Sequence, residues 1–319
     1  MQIRFWGTRG SIAKPGPGTV RYGGNTSCVE VRSAGGTLLV LDCGTGAHAL
    51  GQALVASGNG PTRGHLLITH THWDHIQGLP FFAPLFMPDH EWDIYGPRGL
   101  SQSLREVLAG QMQHPYFPVT VDGFAATVRY HDLVDGSLDI GDVRITARYL
   151  NHTVLTLGYR LHDDAELVYA TDYEPHLPEL ALTGYTPTGG RDDDHVSFLQ
   201  DADLVIHDCQ YTAAEYPEKQ GWGHSTVEFV VDAARAARVR RLALFHHDPN
   251  RDDDAIDRLV ADARQRLDQA GSTLEVFAAA EGQMIELRGS TSATAAGGGV
   301  RDGRSAKGPG GPLGARRRA

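Results

Sequence analysis

Four side chains able to bind metal ions lie within the segment Thr69–His75, which reads THTHWDH. Three are the imidazoles of His70, His72 and His75, and the fourth is the carboxylate of Asp74. Imidazole nitrogens and carboxylate oxygens suit zinc and similar divalent ions. An apolar run precedes the segment and predicts a strand, so the His-x-His pair is expected to point both rings to one side. Asp74 and His75 follow where the chain is expected to turn into a helix, and there they can face a second ion. The spacing predicts a two-metal hydrolytic site.

Three further candidate ligands, His152, Asp172 and His246, each follow an apolar run later in the chain. Each alone is a weak signal, because an isolated histidine more often makes a structural hydrogen bond. Together they complete one set of imidazoles, supply a carboxylate able to bridge two ions ~3.5–4 Å apart, and add a last imidazole. His247 is adjacent to His246 and is the alternative for the last ligand.

This order of residues resembles the metallo-β-lactamase superfamily, whose pattern is His-x-His-x-Asp-His followed by His, Asp and His at later strand ends. The resemblance covers residues 1–288 and includes the early segments FWGTRG, GNTS and LDCGTG. It implies an α/β (α+β) fold, a four-layer αββα sandwich with the site at the sheet edges. The ligands that it implies for one metal ion are His70, His72 and His152. Those that it implies for the other are Asp74, His75 and His246, with Asp172 bridging the two ions.

One branch of the superfamily is especially similar. Residues 202–210 resemble the ribonuclease Z segment that ends in His-Glu-Ala-Thr, with Asp208 in place of Glu, and residues 223–226 resemble its His-Ser-Thr motif. In that branch the acidic residue and the histidine form a pair near the leaving group. The resemblance implies that His224, supported by Asp208, assists the leaving oxygen, while Asp74 and the metal ions orient the attacking hydroxide. Because Asp208 is shorter than Glu, the pairing distance stays open, and a structural bond at a helix start is the alternative for His224.

The spacing between His152 and Asp172 bears on the substrate. Ribonuclease Z enzymes that grip tRNA usually carry a long arm there, whereas the 19 intervening residues leave room only for a hairpin. Six basic residues and one acidic residue follow Arg288, which leaves a body with a charge of about −15. An acidic body is a poor platform for long nucleic acid. The preferred hypothesis is therefore a phosphodiesterase acting on cyclic nucleotides or other small phosphodiesters, as in the cyclic nucleotide phosphodiesterases of this branch.

Three alternatives remain open. The first is a tRNA 3′-end endonuclease of the ribonuclease Z type. The second is a lactone or thioester hydrolase, against which the pair of Asp208 and His224 argues. The third is a non-enzymatic nucleotide-binding module, against which the complete ligand set argues. Two divalent metal ions are predicted, with zinc expected from the histidine-rich ligation and manganese suited to the carboxylates. Related enzymes are often homodimers, so a homodimer is one expected state.

The elements that must position these residues alternate between strand and helix signals. Helices are predicted at 47–56, 99–108, 226–237 and 252–270, among many β-rich runs, which favours two sheets with helices outside. Ser225 and Thr226 before Glu228 suit a helix N-cap, and the acidic run 252–254 suits a helix start. We expect Trp73 to pack against the protein and the acidic run at 192–195 to form a solvated loop.

Composition sets the remaining limits. A chain of 319 residues with 41% hydrophobic residues can bury a sizeable core. No apolar run approaches the ~18 residues that span a bilayer, and the N-terminus resembles a strand rather than a signal peptide, so a cytoplasmic protein is expected. Three widely separated cysteines argue against a disulfide framework. Residues 1–288 are predicted to form the hydrolase domain, and residues 289–319 a disordered tail rich in Gly, Ala and Arg.

Overall fold

The computed structural model describes residues 1–58 and 61–289, in which two β-sheets lie between layers of helices. The strands are β1 (Gln2–Gly7), β2 (Cys28–Arg32), β3 (Leu38–Leu41), β4 (Arg63–Leu67), β5 (Glu91–Pro97), β6 (Thr127–Leu133), β7 (Gly136–Ile140), β8 (Val143–Leu150), β9 (Thr156–His162), β10 (Glu166–Ala170), β11 (Leu204–Asp208), β12 (Arg241–Phe245), β13 (Glu275–Ala278) and β14 (Met284–Glu286). The α-helices are α1 (Gly46–Ala56), α2 (Trp73–Ile76), α3 (Leu104–Gln111), α4 (Pro178–Thr183), α5 (Arg191–Leu199), α6 (Val227–Ala236) and α7 (Asp253–Gln269). Short 3₁₀ helices cover Pro17–Thr19, Leu79–Phe81, Ala83–Phe86, Val121–Gly123 and Tyr216–Glu218.

Each sheet has seven strands. The first has the order β14-β1-β2-β3-β4-β5-β6, and the second has the order β13-β12-β11-β10-β9-β8-β7. One apolar cluster fills the space between the sheets, with Phe5, Leu67 and Tyr159 among its members. A second lies under α1 and α3, and a third under α4 to α7. The predicted four-layer αββα sandwich is therefore confirmed.

Strand direction brings the candidate ligands to one edge of the sandwich. β3 and β4 are parallel in the first sheet, and β10, β11 and β12 are parallel in the second. β8 runs in the same direction as β10, because β9 is antiparallel to both. The loops that follow β4, β8, β10 and β12 therefore start at the same edge of the sandwich, where loops of the two sheets can meet.

Local sequence explains where several helices begin. The Thr226 side chain accepts a hydrogen bond from the Phe229 amide at the start of α6, and Asp252 accepts one from the Ala255 amide at the start of α7. Both residues belong to the segments, 225–226 and 252–254, that the sequence predicts to begin these helices. α3 begins later than predicted, because a capping box between Ser103 and Glu106 defines its first turn.

The prediction of a solvated loop at residues 192–195 is wrong, because these residues belong to α5. Asp192 is buried and accepts hydrogen bonds from the Tyr173 hydroxyl and from the amides of His176 and Leu177. An acidic side chain can point inward here because three donors satisfy its oxygens.

The predicted tail, residues 289–319, lies outside the described residues except for Gly289. Within residues 1–58 and 61–289, none of the helices combines the length and the hydropathy that a membrane crossing requires.

Candidate metal centre

The first group of donors lies where loops after β4, β8 and β10 meet. His72 Nδ1 is 2.9 Å from His70 Nε2 and 3.2 Å from His152 Nε2. Asp172 Oδ2 lies 3.5 Å from His70 Nε2 and 3.7 Å from His152 Nε2. The structure thus brings these four side chains together around one point.

The second group adjoins the first through the same carboxylate. His246 Nε2 is 3.1 Å from Asp74 Oδ2 and 3.3 Å from His75 Nε2. Asp172 Oδ1 lies 3.4 Å from His75 Nε2 and 3.3 Å from His246 Nε2. Asp172 therefore presents one oxygen to each group, as a bridging carboxylate must.

His246, and not His247, faces this centre. The His247 ring turns away, with Nε2 3.0 Å from the Ala279 carbonyl oxygen and its edge against the Tyr22 ring. The difference arises from the backbone, because His246 adopts a positive φ of 56° directly after β12.

In each histidine of the centre, one ring nitrogen, the inner one, faces the other donors, and the second, the outer one, points away from them. The partner of the outer nitrogen shows whether the inner nitrogen is free to bind a cation. Four of the outer nitrogens face oxygen acceptors: His70 Nδ1 at Thr69 Oγ1 (3.1 Å), His75 Nδ1 at Asp42 Oδ2 (2.8 Å), His152 Nδ1 at the Gly223 carbonyl (2.8 Å) and His246 Nδ1 at Gln210 Oε1 (3.1 Å). Such partners favour the proton on the outer nitrogen and leave the inner Nε2 lone pair free. Free lone pairs about 3 Å apart repel one another unless a cation lies between them, so this donor set fits two divalent metal ions.

The charges of the centre agree with this arrangement. Burial lowers the pKa of His70, His72 and His152, the last to about 4, so these rings are neutral at pH 7, the form that can bind a metal ion. Burial also opposes a charge on His75, but the neighbouring carboxylates, above all Asp172, outweigh it and raise its pKa. A positive charge is therefore favoured beside Asp172.

Three residues of the centre share an uncommon backbone conformation. Asp42, Asp172 and His246 have φ values of 60°, 63° and 56°, and each lies just beyond the end of a strand. Asp and His tolerate the left-handed region better than most residues. The turn redirects each side chain from the strand into the space between the sheets. Asp42 also accepts hydrogen bonds from the Thr69 amide and the Tyr169 hydroxyl, which fixes the loop that carries the first histidines.

His224 and Asp208 lie beside the two groups. His224 Nδ1 is 3.4 Å from Asp208 Oδ2 and 3.9 Å from Asp172 Oδ2, and its ring stacks on His246 with centroids 5.0 Å apart. The contact with Asp208 is an ion pair rather than an aligned hydrogen bond. Burial opposes a charge on His224, yet Asp208 and Asp172 raise its pKa to about 9. The shorter carboxylate therefore still reaches the histidine.

Asp208 also holds backbone in place. Its oxygens accept hydrogen bonds from the amides of Tyr173, Gln210 and Ser225. One buried carboxylate thus joins the loops that carry Asp172 and His224.

A family model described as "Beta-lactamase superfamily domain" matches residues 37–247, a span that runs from before the first candidate ligand to beyond the last. The chain belongs to the beta-lactamase superfamily. It is a hydrolase of the metallo-β-lactamase type, as the order of its histidines and aspartates predicts.

The chain is similar in sequence or in fold to several known proteins. Ribonuclease Z of Natronomonas pharaonis is 29% identical over 290 residues, which cover 77% of this chain and 86% of the relative. The solved structure of unliganded yeast PDE1 has a TM-score of 0.64 at 14% identity and covers 90% of this chain and 99% of that chain. A diphosphatase from the PhnP family has a TM-score of 0.60 at 17% identity, over 90% and 98% of the two chains. At these identities the two structures support the shared fold alone.

Sequence reasoning missed several residues of this superfamily site. Trp73 was expected to pack, but it is 77% exposed, because it occupies the outer side of the first turn of α2. Gln210 was given no role, although it bonds both His246 and the Ser11 hydroxyl. Glu174 is buried and accepts hydrogen bonds from the amides of Gly221 and Gly223. The sign of this role in the sequence is that Glu174 lies two residues after Asp172.

Proposed function

We propose that this protein is a two-metal phosphodiesterase. The observation that carries the proposal is the carboxylate of Asp172, with one oxygen toward each group of donors, next to the pair of His224 and Asp208. Two ions held about 3.5–4 Å apart suit an in-line displacement at phosphorus, and a histidine beside them suits the departure of the leaving oxygen.

The proposed ligands divide between the two ions as the superfamily pattern implies. His70, His72 and His152 would hold one ion, Asp74, His75 and His246 the other, and Asp172 both. Ions held by these residues would supply a lowered pKa for bound water and positive charge to offset that developing on the phosphoryl oxygens. Zinc suits the five imidazoles, and manganese suits the carboxylates.

The chain's own residues supply the orientation and the proton. The Ser11 amide donates a 2.7 Å hydrogen bond to Asp74 Oδ2 and fixes that carboxylate, which we propose orients the attacking water. His224 Nδ1 faces Asp208 and Asp172, an arrangement that holds a proton on the ring and leaves Nε2 to protonate the leaving oxygen.

Two substrate classes follow from different observations. The relatives named ribonuclease Z support RNA cleavage, and they support it more strongly than they support the cyclic nucleotides preferred from the sequence. The hairpin of β9 and β10 supports a small phosphodiester, because only residues 163–165 join its strands and no arm extends there. We therefore propose phosphodiester hydrolysis as the activity, with an RNA 3′ end and a small nucleotide diester as competing substrates.

The test is turnover by the purified chain loaded with zinc or manganese. The substrates are bis(p-nitrophenyl) phosphate, 3′,5′-cyclic AMP and a precursor tRNA with a 3′ trailer. Preferred cleavage of the precursor at nanomolar enzyme would favour the endonuclease, and preferred turnover of cyclic AMP would favour the small substrate. A metal-loaded protein that cleaves none of the three would refute the proposal.

An Asp172→Asn variant purified in parallel controls for contaminating nucleases. It keeps the size of the side chain and removes the charge between the ions. Activity that persists unchanged in this variant does not come from the proposed centre.

A further inference from the structure

Glu174 carries a buried carboxylate that the proposed reaction does not use. It is 8% exposed and lies in the loop that follows β10, two residues after Asp172. Acidic side chains are rarely buried to this degree unless hydrogen-bond donors satisfy their oxygens. The donors to Glu174 come from the loop between β11 and α6, residues 209–226, which also carries His224.

Three groups of the β11–α6 loop donate to the two oxygens of this carboxylate. Oε1 accepts hydrogen bonds from the Tyr216 hydroxyl at 2.6 Å and from the Gly221 amide at 2.7 Å. Oε2 accepts one from the Gly223 amide, also at 2.7 Å. Hydrogen bonds to a charged acceptor are stronger than those between neutral groups. One side chain therefore fixes the loop at residues 216, 221 and 223.

The main chain of Glu174 is bonded to the segment that carries His152. The Glu174 amide donates to the Asn151 carbonyl oxygen at 2.8 Å, and the Asn151 side chain donates to the Glu174 carbonyl oxygen at 2.7 Å. Asn151 directly precedes His152 in the chain. Glu174 thus joins the backbone beside this proposed ligand to the loop that faces the ligand's ring.

Gly223 completes a closed path of contacts around His152. Its amide donates to Glu174, while its carbonyl oxygen accepts from His152 Nδ1 at 2.8 Å. Gly223 has a positive φ of 87°, and a Cβ there would lie 2.1 Å from His152 Nδ1, so only glycine lets the backbone approach the ring this closely. Because Gly223 has no side chain of its own, the bond to Glu174 is what holds its peptide group in place.

The same bond bears on His224. The amide of the residue before it, Gly223, donates to Glu174, and the amide of the residue after it, Ser225, donates to Asp208 at 2.9 Å. Two buried carboxylates therefore hold the backbone on both sides of the histidine beside the metal centre.

We propose that Glu174 is a positioning residue that aims the Gly223 carbonyl oxygen at His152 and thereby tunes the metal affinity of the first group of donors. An acceptor at Nδ1 keeps the proton there and leaves Nε2 as the metal-binding nitrogen. The inference rests on the proposed function, since it takes His152 as a ligand. Glu174 itself contacts neither the ion nor the substrate and acts through Gly223.

Zinc affinity tests this role in the full chain. Glu174→Gln keeps the size of the side chain, but its NH₂ group faces a backbone N–H in either orientation, so one loop contact is lost. We expect calorimetry to show one of the two zinc-binding steps weakened about 10–100-fold and the other little changed. No change in either step, or equal weakening of both, overturns the inference.

A matched control separates positioning from a general loss of stability. Glu30 is 7% exposed and accepts hydrogen bonds from Trp6 and Arg32 on β1 and β2. Glu30→Gln also removes a buried charged acceptor and should lower the urea midpoint of unfolding, but it should leave both zinc affinities unchanged. A loss of zinc affinity as large as that in Glu174→Gln would assign the effect to stability and overturn the inference.

Magnetic resonance can follow the hydrogen bond itself. In zinc-saturated protein isotopically labelled at histidine nitrogen, we expect Glu174→Gln to shift or remove the signal of the His152 Nδ1 proton. The corresponding protons of His75 and His246, which face Asp42 and Gln210, should keep their signals. Unchanged signals at all three histidines, or equal changes at all three, overturn the inference.

The inference and the proposed function fail in different ways. Selective weakening of one zinc-binding step, without turnover of any phosphodiester by the unaltered chain, supports the role of Glu174 and refutes the phosphodiesterase. Turnover of bis(p-nitrophenyl) phosphate, with zinc affinities that do not respond to Glu174→Gln, supports the phosphodiesterase and refutes the role of Glu174.

Discussion

The two halves of the candidate metal centre differ in their access to solvent. In the first half His72 is only partly buried, whereas Asp74, His75 and His246 in the second half are all buried. The side chain of His152 is 1% exposed and resembles the second half in this respect. Backbone approaches both halves closely, since a Cβ at Gly10 would overlap the His246 ring and one at Gly223 would overlap the His152 ring. The comparison teaches that the two halves are packed alike and that access from solvent lies on the side of His72.

The two halves also differ in the hydrogen-bond acceptors that hold their histidine rings from outside. In the second half, Asp42 and Gln210 accept from His75 and His246, and both are buried side chains with further hydrogen bonds. In the first half the Thr69 hydroxyl accepts from His70, but the acceptor for His152 is a backbone carbonyl in the loop that carries Trp222. Partners of this kind commonly change metal affinity 10–100-fold. We therefore expect the second half to hold its ion more tightly.

The largest fall in kcat should come from a substitution of Asp172, the carboxylate that the two halves share. Asp172→Asn takes away the charge between the two ions and should lower kcat by about 10³-fold, equivalent to ~4 kcal/mol of transition-state stabilisation. Metal content by atomic absorption should fall at the same time. A variant that keeps both ions and full activity would show that the halves work independently of Asp172.

A smaller fall in kcat should come from a substitution of His224, which lies beside the two halves. His224→Ala should lower kcat about 10²-fold for an alkoxide leaving group, because proton transfer is lost. The loss should be slight for bis(p-nitrophenyl) phosphate, whose leaving group needs no proton, and metal content should not change. Equal losses on both substrates would indicate that His224 acts through the structure of the centre and not as an acid.

Two glycine substitutions should separate the halves. A Cβ at Gly223 would overlap the His152 ring, and one at Gly10 would overlap the His246 ring. Gly223→Ala should weaken one ion and Gly10→Ala the other, each about 10–100-fold. Metal titration followed by calorimetry measures both affinities. Loss of the same ion in both variants would contradict the division of ligands.

The smallest effect should come from a substitution of Tyr169, whose hydroxyl bonds Asp42 behind the second half. Tyr169→Phe removes one of the hydrogen bonds to Asp42 and should cost about 1 kcal/mol of unfolding free energy. Urea unfolding with and without metal measures it. Ion affinity should fall more in the second half, where Asp42 contacts His75 directly, than in the first half, which Asp42 reaches only through Thr69. A larger change in the first half would count against the comparison.

Much of the fold could be predicted from local patterns. α6 and α7 begin at the segments 225–226 and 252–254 that predict them, because capping is a short-range interaction. α5 was missed because the burial of Asp192 depends on donors from residues 173–177, which sequence spacing does not reveal. The exposure of Trp73 was missed for a similar reason, since only the packed α2 shows which side of the turn faces outward.

The sequence by itself determined the types of donor, their order along the chain and their positions after strands, because strand alternation and ligand chemistry are local properties. The tertiary structure decided that His246 rather than His247 faces the centre, because a positive φ after β12 sets the direction of the ring. It also decided that Asp172 lies between two groups of donors and that the centre is more exposed beside His72 than elsewhere. Those features depend on how the ends of strands from two different sheets pack, and no short segment of the chain encodes that distance.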